Sequence, residues 1–482
     1  MRVPLQGGAY EARSIIASAQ RCVNLYPEAN PSDSPCPYTY YPTAGTTLLT
    51  ASPIIAPMRC LYTAGNGDLY SVVGNNVYYI NASWQYTLLG QIATFSNPCS
   101  MADDGLTLIL VDGSPNGYCI DLTSSAKTFG TLTSQYFYGA DKVDYLDTFF
   151  IFNRPKTQQW YSSLSEVNYT MLTTGDQAFD GTYIVAKSGY SDLLTSLIVV
   201  HREIVLLGKY TTEIWYDSGA ADFPFQIQSG VFIQHGCVAK YSIAQQALNV
   251  FFLSEDKQGH LIIMAITAYQ AVKISTYAIE QELSTYSTYD DAIGFTYQEQ
   301  GHTFYVLNFP TQDKTWVYDI ELKLWHERAW LDADGNFHKI RPNCVANAYG
   351  EIVCGDWENG NLYSMDVNNY TDNGNPIPRI RSFPHQMNDE KRMVYNQFIA
   401  DMECGNDDHG NPTNVYLRCS RDRGRTYGNA MLQTIGATGQ YLTNVQFRRL
   451  GMARDMVFEL SWSVPSQTAL NGAFVDVIGA ST

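Results

Sequence analysis

The sequence is short of charge. Only 16% of its 482 residues are Asp, Glu, Lys or Arg, against about a quarter in ordinary soluble domains. Basic residues are the scarcer kind, 30 against 47 acidic, for a formal net charge of −17. A chain of that sign repels polyphosphate at long range, which disfavours a dedicated nucleic-acid binder. Helical periodicity is nearly missing; the best stretch is 275–283, with Ile279 and Leu283 on one face. Long apolar runs are missing too. Segments 106–111 and 197–200 are far too short to span a bilayer, so no membrane insertion is expected. The opening Met1-Arg2-Val3-Pro4-Leu5-Gln6-Gly7-Gly8 has no apolar core of a secretory signal. A soluble protein made in a reducing compartment is the expectation. Ten cysteines, at 22, 36, 60, 99, 119, 237, 344, 354, 404 and 419, form no Cys-x-x-Cys and pair with no His at zinc spacing. They read as free, small apolar residues. Walker loop, dinucleotide fingerprint and nucleophile elbow are all absent.

What the chain has instead is Tyr (35), Gly (36) and 13% aromatics, a composition suited to pleated, half-buried strands. Short apolar runs broken by Gly, Asn, Asp and Pro recur. Seven such units are centred within 58–80, 100–121, 143–162, 197–217, 249–272, 302–326 and 345–366. Their spacing between Tyr70 and Val353 averages roughly 47 residues, the length of a propeller blade. Each unit alone buries only part of its apolar face, so stacking in a ring is the economical solution. The fold class is therefore all-β: a β-propeller of about seven blades over 45–375, followed by a small β-sandwich over 376–482. Residues 1–44 are an arm or a ring-closing strand. The sandwich is expected from runs at 394–403, 414–420, 440–449, 456–463 and 472–478. Asn373-Gly374-Asn375-Pro376-Ile377-Pro378 reads as a linker, and charge changes there. Residues 379–482 hold 11 basic and 10 acidic residues, net +1, which leaves −18 on the rest.

Local motifs point to turns more than to chemistry. Ser420-Arg421-Asp422-Arg423-Gly424-Arg425-Thr426-Tyr427 resembles an Asp-box, in which Asp caps backbone amides, Gly takes positive φ and the aromatic packs beneath. Asp332-Ala333-Asp334-Gly335-Asn336 starts like a calcium loop but lacks the later Gly and Glu. Asn406-Asp407-Asp408-His409-Gly410-Asn411 reads as a polar hairpin turn. Asp103-Asp104 and Asp290-Asp291 are adjacent pairs, unlike two carboxylates facing across a cleft. Ser124-x-x-Lys127 lacks its β-lactamase companions, and His326-Glu327 lacks a second His. No catalytic, cofactor-binding or metal-ligating residue can be assigned, and no cofactor is expected. Arg418, Arg421, Arg423, Arg425, Arg448, Arg449 and Arg454 enrich the C-terminal domain; they form a solvated rim, a docking surface for an acidic partner, or a contact to DNA.

Four blocks, in order, resemble one phage family. The first runs from Ala12-Arg13-Ser14 through Gln20-Arg21-Cys22-Val23-Asn24-Leu25-Tyr26-Pro27-Glu28 to Tyr41-Pro42-Thr43. The second is Thr212-Glu213-Ile214-Trp215-Tyr216-Asp217-Ser218-Gly219 with Phe223-Pro224-Phe225 and Gly236-Cys237-Val238-Ala239. The third includes Gly301-His302-Thr303-Phe304-Tyr305, Thr315-Trp316-Val317-Tyr318-Asp319 and Trp325-His326-Glu327-Arg328. The fourth joins the Asp-box to Arg449-Leu450-Gly451-Met452-Ala453-Arg454-Asp455. Together they are similar to the tail-hub, or packaged-DNA stabilisation, proteins of short-tailed bacteriophages. The resemblance implies a non-enzymatic virion protein: a ring, sixfold, below the portal and its head-to-tail adaptor ring. Such a ring retains packaged DNA, closes the head, guides ejection and carries the tail needle, tailspike or fibres. Assembly in the host cytoplasm and placement in the virion tail follow from the same resemblance. Genomic DNA would pass through the lumen without sequence-specific binding, and an acidic wall would limit sticking. The alternative is a glycan-binding or glycan-cleaving, sialidase-like tail propeller, which the single Asp-box supports.

Overall fold

A computed structural model describes residues 2–5, 7–220, 222–403, 405 and 414–479. Five four-stranded antiparallel sheets follow one another over residues 58–91, 100–131, 143–186, 194–227 and 244–273, and a sixth antiparallel set of four strands, at 293–328, belongs to a larger sheet. These are blades 1 to 6. A seventh takes three strands from Pro342–Ala348, Glu351–Asp356 and Leu362–Asp366. Its outer strand is Gly45–Thr50, antiparallel to Leu362–Asp366, so the N-terminal side of the chain closes the ring. Gly45 is required there, because a Cβ would lie 2.4 Å from the Thr371 carbonyl.

The strands form because both faces of each sheet find a neighbour. Central strands such as Thr107–Val111 and His302–Phe309 are buried along their whole length, as continuous apolar runs should be. Seven separate apolar clusters fill the seven blade-to-blade interfaces, from Tyr70 and Leu108 between blades 1 and 2 to Met58 and Val353 between blades 7 and 1. The predicted short helix is Tyr277–Leu283, with Thr276 as its N-cap and Ile279 and Leu283 buried. The nine described cysteines are all free. Among the described residues no helix is long and apolar enough to cross a membrane.

The remaining strands build a sandwich whose two sheets share one core, including Leu25, Tyr40, Phe398, Phe447, Phe458 and Trp462. One sheet runs Leu25–Ala29, Tyr38–Pro42, Leu470–Gly479, Met393–Met402, Val445–Ala453, with Arg2–Val3 also on Leu470–Gly479. The other runs Arg21–Val23, Arg379–Ser382, Asp455–Trp462, Asn414–Ser420, Met431–Thr434. Residues 1–44 thus neither project as an arm nor close the ring; the strands they supply complete the sandwich. Hydrophobic pattern alone does not name a strand's partner, and apart from the pairing of Leu25–Ala29 with Tyr38–Pro42 these partners lie hundreds of residues away. Two smaller expectations also change. The strand expected at 440–449 is Val445–Ala453, because Gly436 and Gly439 turn the chain at φ of 90° and 83°. The expected linker pairs as a hairpin, Thr371–Asp372 with Asn375–Pro376, and Asp372 bridges to Thr46.

Candidate interaction surfaces

Most sequence motifs that hinted at chemistry are absorbed into turns, and His326-Glu327 into a buried strand. Asp103 accepts hydrogen bonds from Tyr62 Oη (2.7 Å) and the Gly65 and Gly105 amides, and Asp104 accepts from the Leu106 and Thr107 amides. Asp291 holds the Thr311 amide and hydroxyl. Lys127 Nζ reaches Asp68 at 2.6 Å and makes no contact with Ser124 Oγ. His326 is wholly buried, and burial pushes its imidazole down to about 3. Asp332 caps its own turn and also meets His338 Nε2 at 3.0 Å, while Asp313 meets His338 Nδ1 at 2.5 Å. Hydrogen bonds to both carboxylates, Asp332 first, hold the His338 imidazole above its ordinary value. Among the described residues no cluster of three His, Cys, Asp or Glu is placed to hold a metal. The turn expected at 406–411 and Cys404 lie outside the described residues.

The family-like blocks meet at the junction of ring and sandwich. Arg21 forks onto Glu327 with bonds of 2.9–3.1 Å, and Lys314 Nζ adds a third contact to Glu327 at 3.0 Å. Glu327 is buried, so this charge is compensated on two sides. Asn24, at φ 54°, donates from Nδ2 to the Ala329 and Pro378 carbonyls and accepts from the Ala329 amide. Arg21–Val23 itself lies between the outer strand of blade 6 and Arg379–Ser382, which fuses blade 6 and one sandwich sheet into a single ten-stranded sheet. One more buried cation, Arg328, donates to the Ala44 carbonyl at 2.8 Å and to Tyr297 Oη at 3.1 Å.

The Asp-box folds as its sequence implies. Ser420 Oγ donates to Asp422 and accepts from the Gly424 amide; Asp422 accepts from the Thr426 amide (2.9 Å) and hydroxyl (2.6 Å). Those bonds, the Thr426 hydroxyl first, hold the Asp422 carboxyl well below its ordinary range. Gly424 has φ 89°, and a Cβ there would lie 2.5 Å from Ala19 Cβ, so the hairpin seats on the N-terminal segment. Asp422→Ala is expected to loosen the hairpin, as loss of a cap does, read as a lower urea midpoint with unchanged slope. The box sits on the sandwich, not on a propeller blade.

Around that hairpin the structure gathers arginines that are far apart in sequence. Arg421, Arg423, Arg425 and Arg454 line a groove of about 450 Å³ with Ile16, Glu390, Asp422 and Asp455. An adjoining groove of about 480 Å³ shares Arg421 and Asp422 and adds Arg449. Arg421 donates to the Leu450 carbonyl at 2.8 Å, and Arg423 pairs with Glu390 at 2.5 Å. Arg425, Arg449 and Arg454 are exposed and make no ion pair among the described residues. Two members of the expected set are elsewhere: Arg418 pairs with Glu459, and Arg448 bonds Gln446 Oε1.

The opposite charge collects on the propeller. The hairpins joining third to fourth strands in blades 2 and 3, residues 121–128 and 163–183, carry Asp121, Glu166, Asp176 and Asp180. Their one basic residue, Lys127, is already taken by Asp68. The Thr123 hydroxyl at Asp121, the Gln135 amide at Asp176 and the Thr182 amide at Asp180 each lower the carboxyl's pKa, so these three stay ionised into acid. Counting around a ring of seven, blades 2 and 3 each lie three places from blade 6, which bears the sandwich. The arginine grooves and the acidic hairpins therefore sit at opposite ends of the chain.

Comparison with known proteins agrees with this two-part architecture. The family model described as "Bacteriophage P22 Gp10, beta-propeller" matches residues 1–370, and "Bacteriophage P22 Gp10, beta-sandwich" matches residues 379–478. Among curated proteins none matches the chain. Among solved structures, the WD40 beta propeller domain of Doa1 aligns at 12% identity and a TM-score of 0.41, covering 67% of this chain and 96% of that one; at that score it carries no argument. Two models that match consecutive parts of one phage structural protein, over nearly the whole chain, show that this chain belongs to the bacteriophage P22 Gp10 family of packaged-DNA stabilisation proteins.

Proposed function

We propose that the chain is the tail hub of a short-tailed phage: a ring of six copies below the portal and its adaptor ring. The ring retains packaged DNA, guides its ejection and carries the needle, tailspike or fibres. Family membership supports the structural role, and the observation that carries the finer reading is the division of charge. Residues 1–378 hold −18 and the C-terminal domain +1. A duplex sliding past a like-charged wall does not stick to it during ejection. Mass photometry of the purified protein, alone and with the phage's own portal–adaptor complex, tests the proposal. Discrete multimers, or saturable capture by that complex, are expected. A persistent monomer that ignores the complex would overturn the hub and turn attention to glycan cleavage or binding.

A further inference from the structure

We infer that the arginine groove of one copy docks on the acidic outer hairpins of blades 2 and 3 of the next copy, and that this head-to-tail contact builds the ring. The inference rests on the ring reading above. A contact between two different patches of the same chain is heterologous, and repeats until it closes. It needs its two patches on well-separated parts of the protomer, and the sandwich and blades 2 and 3 are three blades apart in either direction around the propeller.

Chemistry matches the placement. Arg425, Arg449 and Arg454 have guanidinium groups with no ion-pair partner among the described residues, and the guanidinium fork suits a carboxylate's two oxygens. Glu166 is exposed, with no side-chain partner among the described residues. Asp176 and Asp180 are exposed and held ionised by their turns; each carboxylate keeps acceptor sites beyond those the turn uses. Exposed pairs of this kind are individually weak and set encounter and register more than affinity. The contact is therefore salt-sensitive, since screening at physiological ionic strength acts over about 8 Å.

The test uses full-length protein in low salt, read by mass photometry, alone and on the portal–adaptor complex. One variant combines Arg425→Glu with Arg454→Glu; the other combines Glu166→Arg with Asp180→Arg. Each alone is expected to lose multimers by roughly tenfold or more, because its contacts now join like charges. Mixed one to one, the two variants are expected to reassemble as alternating copies, because each groove then meets an opposite charge. Thermal melting checks that both fold. If Asp180→Arg disturbs its turn, Glu166→Arg alone replaces that variant. Multimers unchanged in the Arg425/Arg454 variant, or a mixture of folded variants that stays monomeric, would overturn this contact and leave the ring standing. Wild-type copies that never associate, with or without the complex, would overturn ring and contact together.

Discussion

Arg381→Met is expected to lower the free energy of unfolding by about 3 kcal/mol. The Arg381 side chain is completely buried. It donates to the Leu5 carbonyl (2.6 Å), the Gly8 carbonyl (3.1 Å) and Gln20 Oε1 (2.9 Å), and its guanidinium lies 5.0 Å from the centre of the Tyr40 ring. Methionine fills much of the same volume but donates nothing. The buried Leu5 carbonyl would then lose its partner at about 1–3 kcal/mol, and the part-buried acceptors at Gly8 and Gln20, which water can reach, would each lose a charged donor at less. Removing a buried cation recovers part of that loss, which keeps the net near the lower end. The acceptors, with the Arg21 carbonyl at 3.4 Å, all belong to residues 5–21, so the loss should be local as well as global. Urea denaturation gives the magnitude, and limited proteolysis gives the place: cleavage within the first twenty residues should precede cleavage of the propeller. A variant with the wild-type midpoint and the wild-type cleavage order would show that the N-terminal segment holds without this guanidinium.

That expectation concerns a residue whose type was visible in the sequence and whose role was not. Blade number was legible because each blade's second and third strands are buried on both faces and read as short apolar runs: Thr107–Val111 and Gly117–Asp121 are typical. Apart from Leu324–Arg328 in blade 6, the fourth strands were not legible. Tyr86–Gln91 and Gln270–Lys273 are half-exposed and show no strong alternation; they are strands because a neighbour offers them a free edge. Near the C-terminus, Tyr441 and Leu442 suggested an early strand start, yet both are exposed on a glycine turn. The Asp-box was legible because all its parts are contiguous. The arginine grooves were not, since Arg425, Arg449 and Arg454 meet only after the sandwich folds. Composition counts charges without locating them: Arg379 and Arg381 belong to the same Arg-rich domain, but both are buried and bonded to carbonyls. The resemblance named the segments holding Arg21 and Glu327 without indicating that they touch across 306 positions.

The largest effect is expected from shortening the chain, and two start points separate its two causes. A chain of residues 45–482 keeps Gly45–Thr50, the outer strand of blade 7, but loses the sandwich strands Arg2–Val3, Arg21–Val23, Leu25–Ala29 and Tyr38–Pro42. Val3, Leu5, Leu25 and Tyr40 leave the sandwich core with them. Burying one such side chain is worth about 1.5–3 kcal/mol, so four together rival the whole stability of a domain, about 5–15 kcal/mol. The sandwich of this chain should therefore be unfolded and protease-sensitive while the propeller still melts as a unit. A chain of residues 51–482 also exposes the edge of Leu362–Asp366 and uncovers the cluster that joins blades 7 and 1 around Met58, Val353 and Leu362. An open ring leaves that interface without its closing strand, and calorimetry should show no cooperative transition at all. Equal melting of the two shortened chains would mean that the propeller does not depend on Gly45–Thr50. Distinct melting would mean that one N-terminal stretch of about fifty residues completes two domains in succession, the sandwich through its first 44 residues and the ring through the next six. On that result, neither domain can be finished by residues 51–482 alone, and the two must fold around a shared segment.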